Sequence, residues 1–144
     1  MFSWLAKGIL TRNMARLREG DYRPLLRLDA KDIRFRFPGD SSWACEIDNK
    51  KDLEQWLDRF CDTGLQIYAD EVILQGFPWN MTLCVRGTDH LDAPDGTRVY
   101  ENRYVIWGRM SWGLLREYEV YEDTQASKEL DAYLEARGAD RKEG

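Results

Sequence analysis

The amino-acid sequence predicts one α+β domain in which helices precede a mostly antiparallel sheet. Apolar residues recur at helical intervals in the first half of the chain, whereas β-branched and aromatic residues alternate from Glu71 to Asp123. The length of 144 residues fits one domain, and we find no internal repeat and no low-complexity linker. We therefore expect residues 1–144 to form a single domain whose helices lie on one face of a curved sheet.

Four helices are predicted. The first carries an apolar stripe and ends before Gly20; the stripe consists of Trp4, Leu5, Ile9, Met14 and Leu17. A short second helix, from 22 to 28, has a proline in its first turn, where the missing N–H costs little. The third helix spans 50–68. The last spans 124–137, with Gly138 as its stop, and we expect the charged tail 138–144 to be frayed.

Five strands are predicted from alternation and from turn signals between the segments. They are Ile33–Phe37, Glu71–Gly76, Met81–His90, Arg98–Arg109 and Leu114–Glu122. The turn Ala93-Pro94-Asp95-Gly96 separates two of the long strands, so they are expected to pair as antiparallel neighbours.

Composition excludes several classes of protein. The chain has 21 Lys+Arg against 26 Asp+Glu, which argues against a nucleic-acid-binding domain because such a domain needs a basic face. The three cysteines form no C-x-x-C pair, and the early acidic residues resemble caps and turns, so no metal site is predicted. The sequence has no apolar run of membrane-spanning length, and we expect a cytoplasmic protein without membrane contact.

The order of several short motifs resembles a known family. These motifs are Phe37-Pro38-Gly39, Asp52-Leu53-Glu54-Gln55-Trp56-Leu57, Pro94-Asp95-Gly96, Tyr100-Glu101-Asn102-Arg103-Tyr104 and Tyr118-Glu119-Val120-Tyr121-Glu122-Asp123. Over about residues 5–134 the chain resembles the SnoaL-like, or polyketide cyclase-like, branch of the nuclear-transport-factor-two-like superfamily. The resemblance implies a cone-shaped α+β barrel with an apolar pocket, commonly in a homodimer. It does not imply one activity, because members include cyclases, isomerases, dehydratases and epoxide hydrolases.

The spacing is also similar to that of limonene-epoxide hydrolases, but the residues that carry their chemistry are mostly replaced. Their arginine falls on Arg86, while their two aspartates fall on Thr88 and Val120. Their water-holding Tyr and Asn fall near Arg34 and Arg36, which are expected to face solvent or, alternatively, to extend a basic pocket lining. An epoxide-hydrolase mechanism is therefore disfavoured, because an arginine alone cannot activate water.

Alternation along the strands predicts which residues share a pocket, because residues two apart lie on one face. If Arg86 points into the cone, so do Thr82, Cys84, Thr88 and His90. The remaining lining is predicted to be Met14, Leu17, Trp56, Phe60, Asn102, Tyr104, Tyr118 and Val120. Such a mostly apolar cavity with a few polar groups is typical of a small-molecule site.

Within this set, four residues are candidates for catalysis. His90 is the only histidine and so the obvious general acid or base, unless it is a surface residue beside Asp89 and Asp92. Arg86, with Tyr104 or Tyr118, could stabilise an oxyanion. The alternatives are that Arg86 pairs with an acidic residue of the barrel and that the tyrosines are satisfied core residues.

Three functions follow as hypotheses. The first is a cofactor-independent isomerase, cyclase or hydratase acting on a small apolar or aromatic carbonyl compound. The second is a ligand-binding or accessory protein without chemistry, favoured by the missing carboxylates. The third is partner binding, with Val99, Trp107, Glu117, Glu119 and Tyr121 on an outer sheet face that forms a homodimer; the alternative is that this face is solvated.

Overall fold

The computed structural model describes the backbone of residues 3–143 and the side chains of residues 3–138. Its helices are α1 (Ser3–Arg18), α2 (Arg23–Arg27), α3 (Lys50–Thr63) and α4 (Thr124–Glu143). The strands are β1 (Asp29–Phe37), β2 (Cys45–Ile47), β3 (Gln66–Phe77), β4 (Asn80–Asp92), β5 (Arg98–Ser111) and β6 (Leu114–Glu122). Within the described residues, no helix has the length and apolar character needed to cross a bilayer.

The six strands form one sheet in the order β2-β1-β6-β5-β4-β3. Strands β3 to β6 pair as consecutive antiparallel neighbours, and β1 joins β6 in parallel before β2 folds back against it. The sheet curls without closing, because β2 and β3 remain as separate edges. The predicted α+β class, with a curved and mostly antiparallel sheet wrapped on helices, is confirmed.

Local chemistry explains where the element boundaries differ from the sequence-based expectation. The third helix ends at Thr63, earlier than expected, because Gly64 adopts a left-handed conformation (φ 83°) and Gln66 already belongs to β3. The short strand β2 is not visible as alternation, since it contains only three residues. Gly138 does not stop the last helix, which continues to Glu143, so the expected end at Arg137 is wrong.

Helix α3 closes one side of the curved sheet with an aromatic cluster. The Trp56 ring lies 4.8 Å from Phe35 of β1 and stacks on Phe60 at 5.9 Å, while Trp43 meets Trp56 edge-on at 5.6 Å. Asn49 caps the helix by accepting a hydrogen bond from the backbone N–H of Asp52 at 2.8 Å. Because this packing is anchored to β1, it holds α3 at a fixed position over the concave face of the sheet.

Helix α1 covers the other part of that face. Its buried residue Met14 packs in a second apolar cluster with Val72, Val85 and Tyr104 from three different strands. Ser3 fixes the start of the helix to β3, because its hydroxyl accepts a hydrogen bond from the backbone N–H of Leu74 at 3.0 Å. The two helices therefore lie above the sheet without filling the whole space beneath them.

Candidate functional site

A cavity of about 450 Å³ lies between α1, α3 and the concave face of the sheet. Its wall is almost entirely apolar and aromatic. Six polar or weakly polar side chains interrupt it: Asp29, Asp89, Tyr100, Tyr104, Tyr118 and Glu122. A cavity of this size and composition suits an organic molecule that is held by shape and oriented by a few hydrogen bonds.

Strand β4 turns alternate residues toward this cavity and away from it. Leu83, Val85 and Asp89 line the cavity, and Val85 and Asp89 are buried. The intervening residues belong to the opposite, outer face of the sheet: Thr82, Cys84, Arg86, Thr88 and His90. The structure therefore corrects the expectation that Arg86 and its same-face neighbours, including the proposed lining residues Cys84 and Thr88, point into the cone.

The outer position gives Arg86 and His90 other partners. The Arg86 guanidinium lies 2.8 Å from the Glu71 carboxylate of β3, and both side chains are more than half exposed. The His90 ring stacks on Tyr68 at 5.8 Å and its Nε2 lies 3.9 Å from Asp92 Oδ2. Neither side chain lines the cavity, which leaves their predicted catalytic roles without support from its geometry.

Most of the other predicted lining residues do face the cavity: Met14, Leu17, Trp56, Phe60, Tyr104, Tyr118 and Val120. The Tyr104 hydroxyl donates a 2.7 Å hydrogen bond to the backbone oxygen of Tyr68, so that proton already stabilises the sheet. Asn102 is buried behind the wall, where its amide nitrogen donates to the Tyr100 hydroxyl at 3.0 Å and to the Asp123 carbonyl at 3.0 Å.

Three acidic and phenolic side chains from neighbouring strands meet at one end of the cavity. The Tyr100 hydroxyl of β5 lies 3.5 Å from a carboxylate oxygen of Asp89 on β4 and 3.5 Å from one of Glu122 on β6. Glu122 also accepts a 2.6 Å hydrogen bond from Ser127 of α4. Asp89 Oδ1 is buried without a hydrogen-bond partner among the described residues, so this carboxyl retains a free position for a ligand.

The protonation of these groups is perturbed by their burial. Burial raises the pKa of Asp89 to about 7, and the nearby Glu122 carboxylate adds to the rise. Burial likewise raises the pKa of Glu122, while the Ser127 hydrogen bond opposes that change. Each carboxyl group is therefore protonated more readily than an exposed one, and the Glu122 charge favours the protonated form of Asp89. The cluster brings two such carboxyl groups to one phenolic hydroxyl.

This cluster was not predicted from the sequence, because the wrong residues of β4 were placed inside and the inner face of β6 was not extended to Glu122. Thr88 and Val120 were counted as replacements for catalytic aspartates, and the pocket was expected to lack carboxylates. In the structure Asp89 faces inward beside Thr88, and Glu122 lies on the same face as Val120, so that conclusion is wrong. The apolar residues Leu83, Val85 and Leu91 carried the missing signal, since they share a face with Asp89.

Comparisons with known proteins identify the fold. No family model matches the sequence, and no curated protein matches it. Among solved structures, TerC co-crystallised with polyporic acid is 22% identical, with a TM-score of 0.69 over 86% of this chain and 95% of that chain. PrhC from Penicillium brasilianum is 13% identical, with a TM-score of 0.71 over 92% of this chain and 89% of that chain.

A third solved structure is described as an NTF2-like protein of unknown function, from Cytophaga hutchinsonii. It is 13% identical and has a TM-score of 0.60 over 81% of this chain and 98% of that chain. The chain therefore has the nuclear-transport-factor-two-like fold that the sequence motifs indicated, and these likenesses cover most of the length of each protein.

Proposed function

We propose that the protein carries out cofactor-independent acid–base chemistry on a small apolar or aromatic carbonyl compound, like the cyclases and isomerases of the SnoaL-like branch. The observation that carries the proposal is the cluster of buried Asp89 and Tyr100 with half-buried Glu122 at one end of a mostly apolar cavity. The likeness to TerC, which was co-crystallised with polyporic acid, supports ligand binding by this fold.

The cluster has the parts that proton transfer requires. The protonated carboxyl of the Asp89–Glu122 pair donates a hydrogen bond to the carbonyl oxygen of the ligand, where negative charge develops. The ionised carboxyl removes a proton from the adjacent carbon, so that the C–H electron pair becomes the C=C bond of an enol or enolate. Tyr100 lies within 3.5 Å of both carboxyl groups and holds their geometry. Return of a proton to a different carbon completes an isomerisation.

Hydrogen–deuterium exchange tests this chemistry without knowledge of the natural substrate. We would incubate the protein with 2-tetralone, an apolar aromatic ketone, in D₂O at pH 7 and follow loss of the α-proton signal by NMR. The wild type is expected to accelerate exchange above the buffer rate. Asp89→Asn should reduce the accelerated rate by roughly 10²–10⁴-fold, the usual contribution of a general acid or base. Tyr100→Phe should reduce it less, because both carboxyl groups remain.

His90→Gln is the matched control, since it changes the neighbouring residue on the outer face of the same strand. Its exchange rate should stay within about twofold of the wild type. If His90→Gln abolishes exchange while Asp89→Asn retains it, the chemistry lies on the outer face and the proposal is wrong. Saturable binding of 2-tetralone with no exchange above buffer would instead favour the ligand-binding protein without chemistry.

A further inference from the structure

A second polar group lies in the cavity and takes no part in the proposed proton transfer. It consists of Asp29, the first residue of β1, and Tyr118 of β6, both of which line the cavity. Asp29 is only 5% exposed, although it is an acidic residue. Burial raises its pKa to about 7, with Lys50 opposing the change. Burial also raises the pKa of Tyr118, and the Asp29 charge adds to that rise. Asp29 pairs in register with Leu115, three residues before Tyr118 on β6, so both side chains face the same part of the cavity.

The strand geometry sets the separation between this site and the acid–base cluster. Tyr118 and Glu122 lie four positions apart on β6 and face the same side, so their Cα atoms are roughly 13 Å apart at 3.3 Å per residue. Between them the wall is apolar, with Val120 on the same strand and Ile106 beside it on β5. The cavity thus has a hydrogen-bonding site toward each end and an apolar middle.

The charge of the lining restricts what can bind. The described residues of the cavity wall include three carboxyl groups, those of Asp29, Asp89 and Glu122, and no Lys, Arg or His. A carboxylate ligand would be desolvated beside these acids without a counter-charge, which is strongly unfavourable. A carbonyl or hydroxyl oxygen would instead accept a hydrogen bond from a protonated carboxyl or from the Tyr118 hydroxyl.

We infer that the cavity binds an elongated, uncharged apolar molecule with an oxygen function near each end, one at the Asp89–Glu122 cluster and the other at Asp29 and Tyr118, and that it excludes the corresponding carboxylates. The inference rests on the proposed function, because it takes the Asp89–Glu122 end as the site of one ligand oxygen. It adds a second recognition site and therefore names the substrate class.

Three twelve-carbon probes test it: dodecane-2,11-dione, dodecan-2-one and dodecanedioate. Affinities would be measured at pH 6.5, where Asp29 and Asp89, with pKa values of about 7, are mostly protonated and dodecanedioate is ionised. The readout is the change in tryptophan fluorescence, since Trp43 and Trp56 are in the cavity wall. The diketone is expected to bind about five- to tenfold more tightly than the monoketone, as one additional hydrogen bond allows. Dodecanedioate should bind at least a hundredfold more weakly than the diketone.

Variants at the second site separate its contribution from that of the acid–base cluster. Asp29→Leu should remove the preference for the diketone while leaving dodecan-2-one affinity within about twofold. Tyr118→Phe, which keeps the ring in place, should reduce the preference in part. Asp32→Leu is the matched control, because Asp32 lies on the same strand with its side chain 81% exposed, and it should change neither affinity.

Three results would overturn the inference. Equal affinities of the two ketones for the wild type would show that no second oxygen site exists, and binding of dodecanedioate as tight as that of the diketone would refute the exclusion of carboxylates. Absence of saturable binding by either ketone would refute the ligand class. Failure of the proposed function is read separately, from the exchange of 2-tetralone in the Asp89→Asn variant.

Discussion

The two faces of strand β4 carry ionisable side chains in opposite environments. On the outer face, Arg86 and His90 are reachable by solvent and contact Glu71, Tyr68 and Asp92. On the inner face, Asp89 is 6% exposed and has one carboxyl oxygen without a partner among the described residues. Residue type alone favours the outer pair as catalysts, whereas burial makes the inner aspartate the unusual group. Environment, more than residue type, therefore marks the candidate site.

The strongest expected contrast between the faces is in the pH dependence of stability. The folded-state pKa of Asp89 is about 7, above its value of 3.8 when unfolded, so the folded protein holds a proton that the unfolded chain has lost between these pH values. Stability from this group is therefore fully present below about pH 4 and falls until about pH 7, by roughly 4 kcal/mol. Asp29 contributes a loss of the same sign.

Asp89→Asn should remove the Asp89 part of that loss, so its urea-unfolding free energy should decline less between pH 4 and pH 8 than that of the wild type. The outer-face control Asp92→Asn should leave the wild-type decline unchanged, because Asp92 is solvent-exposed and pairs with Arg98. Parallel declines for Asp89→Asn and the wild type would mean that Asp89 is not desolvated in the folded protein.

A smaller difference is expected between the stability costs of substitutions at neighbouring positions 86 and 87. A Cβ atom on Gly87 would lie 1.9 Å from the backbone oxygen of Tyr68 and 2.6 Å from the Tyr104 hydroxyl. Gly87→Ala should therefore separate β4 from β3, break the Tyr104–Tyr68 hydrogen bond and destabilise the protein by roughly 1–3 kcal/mol or more. Arg86→Ala should cost no more than about 1 kcal/mol, since it loses only an exposed ion pair. Thermal unfolding of both variants measures the difference, and equal costs would contradict the assigned faces.

The smallest effect on stability is expected on the outer face, where substitution of an exposed apolar residue should alter only the association of two copies of the chain. Ile73, Val105, Trp107 and Tyr121 are all exposed there, each between 39% and 49%. If this face forms the homodimer predicted from the sequence, Trp107→Glu should convert dimers to monomers in sedimentation velocity while moving the unfolding free energy by less than about 0.5 kcal/mol. A monomeric wild type, or a variant that remains dimeric, would contradict that prediction.

Sequence patterns predicted the fold well because most of its elements are marked locally. The stripe of α1, the turn at Pro94-Asp95-Gly96 and the alternation of β5 each identify an element without reference to distant residues. The predicted element boundaries were wrong where the local sequence signal was weak or was overridden by the surrounding structure. Strand β2 has three residues, and Gly138 continues the helix although glycine often ends one.

The candidate site was predicted less well, because it depended on which of the alternating residues of β4 face the cavity. Placing Arg86 inside moved every residue of β4 to the wrong face, since side chains alternate with a period of two. The helix residues Met14, Trp56 and Phe60 were placed in the wall without this difficulty, because an amphipathic helix has only one apolar face to bury.

Local conformational preference and hydrophobic periodicity are sufficient to predict the fold class, the order of nearly all elements and the apolar character of the enclosed space. They do not predict which acids lie in the cavity, because that depends on how distant strands meet in the folded protein. Asp29, Asp89 and Glu122 resemble turn and surface residues in the sequence, and they become a distinct group when three separate strands bring them into one water-poor space. Desolvation depends on what surrounds a residue from every direction, and neighbours along the chain supply only part of that surrounding.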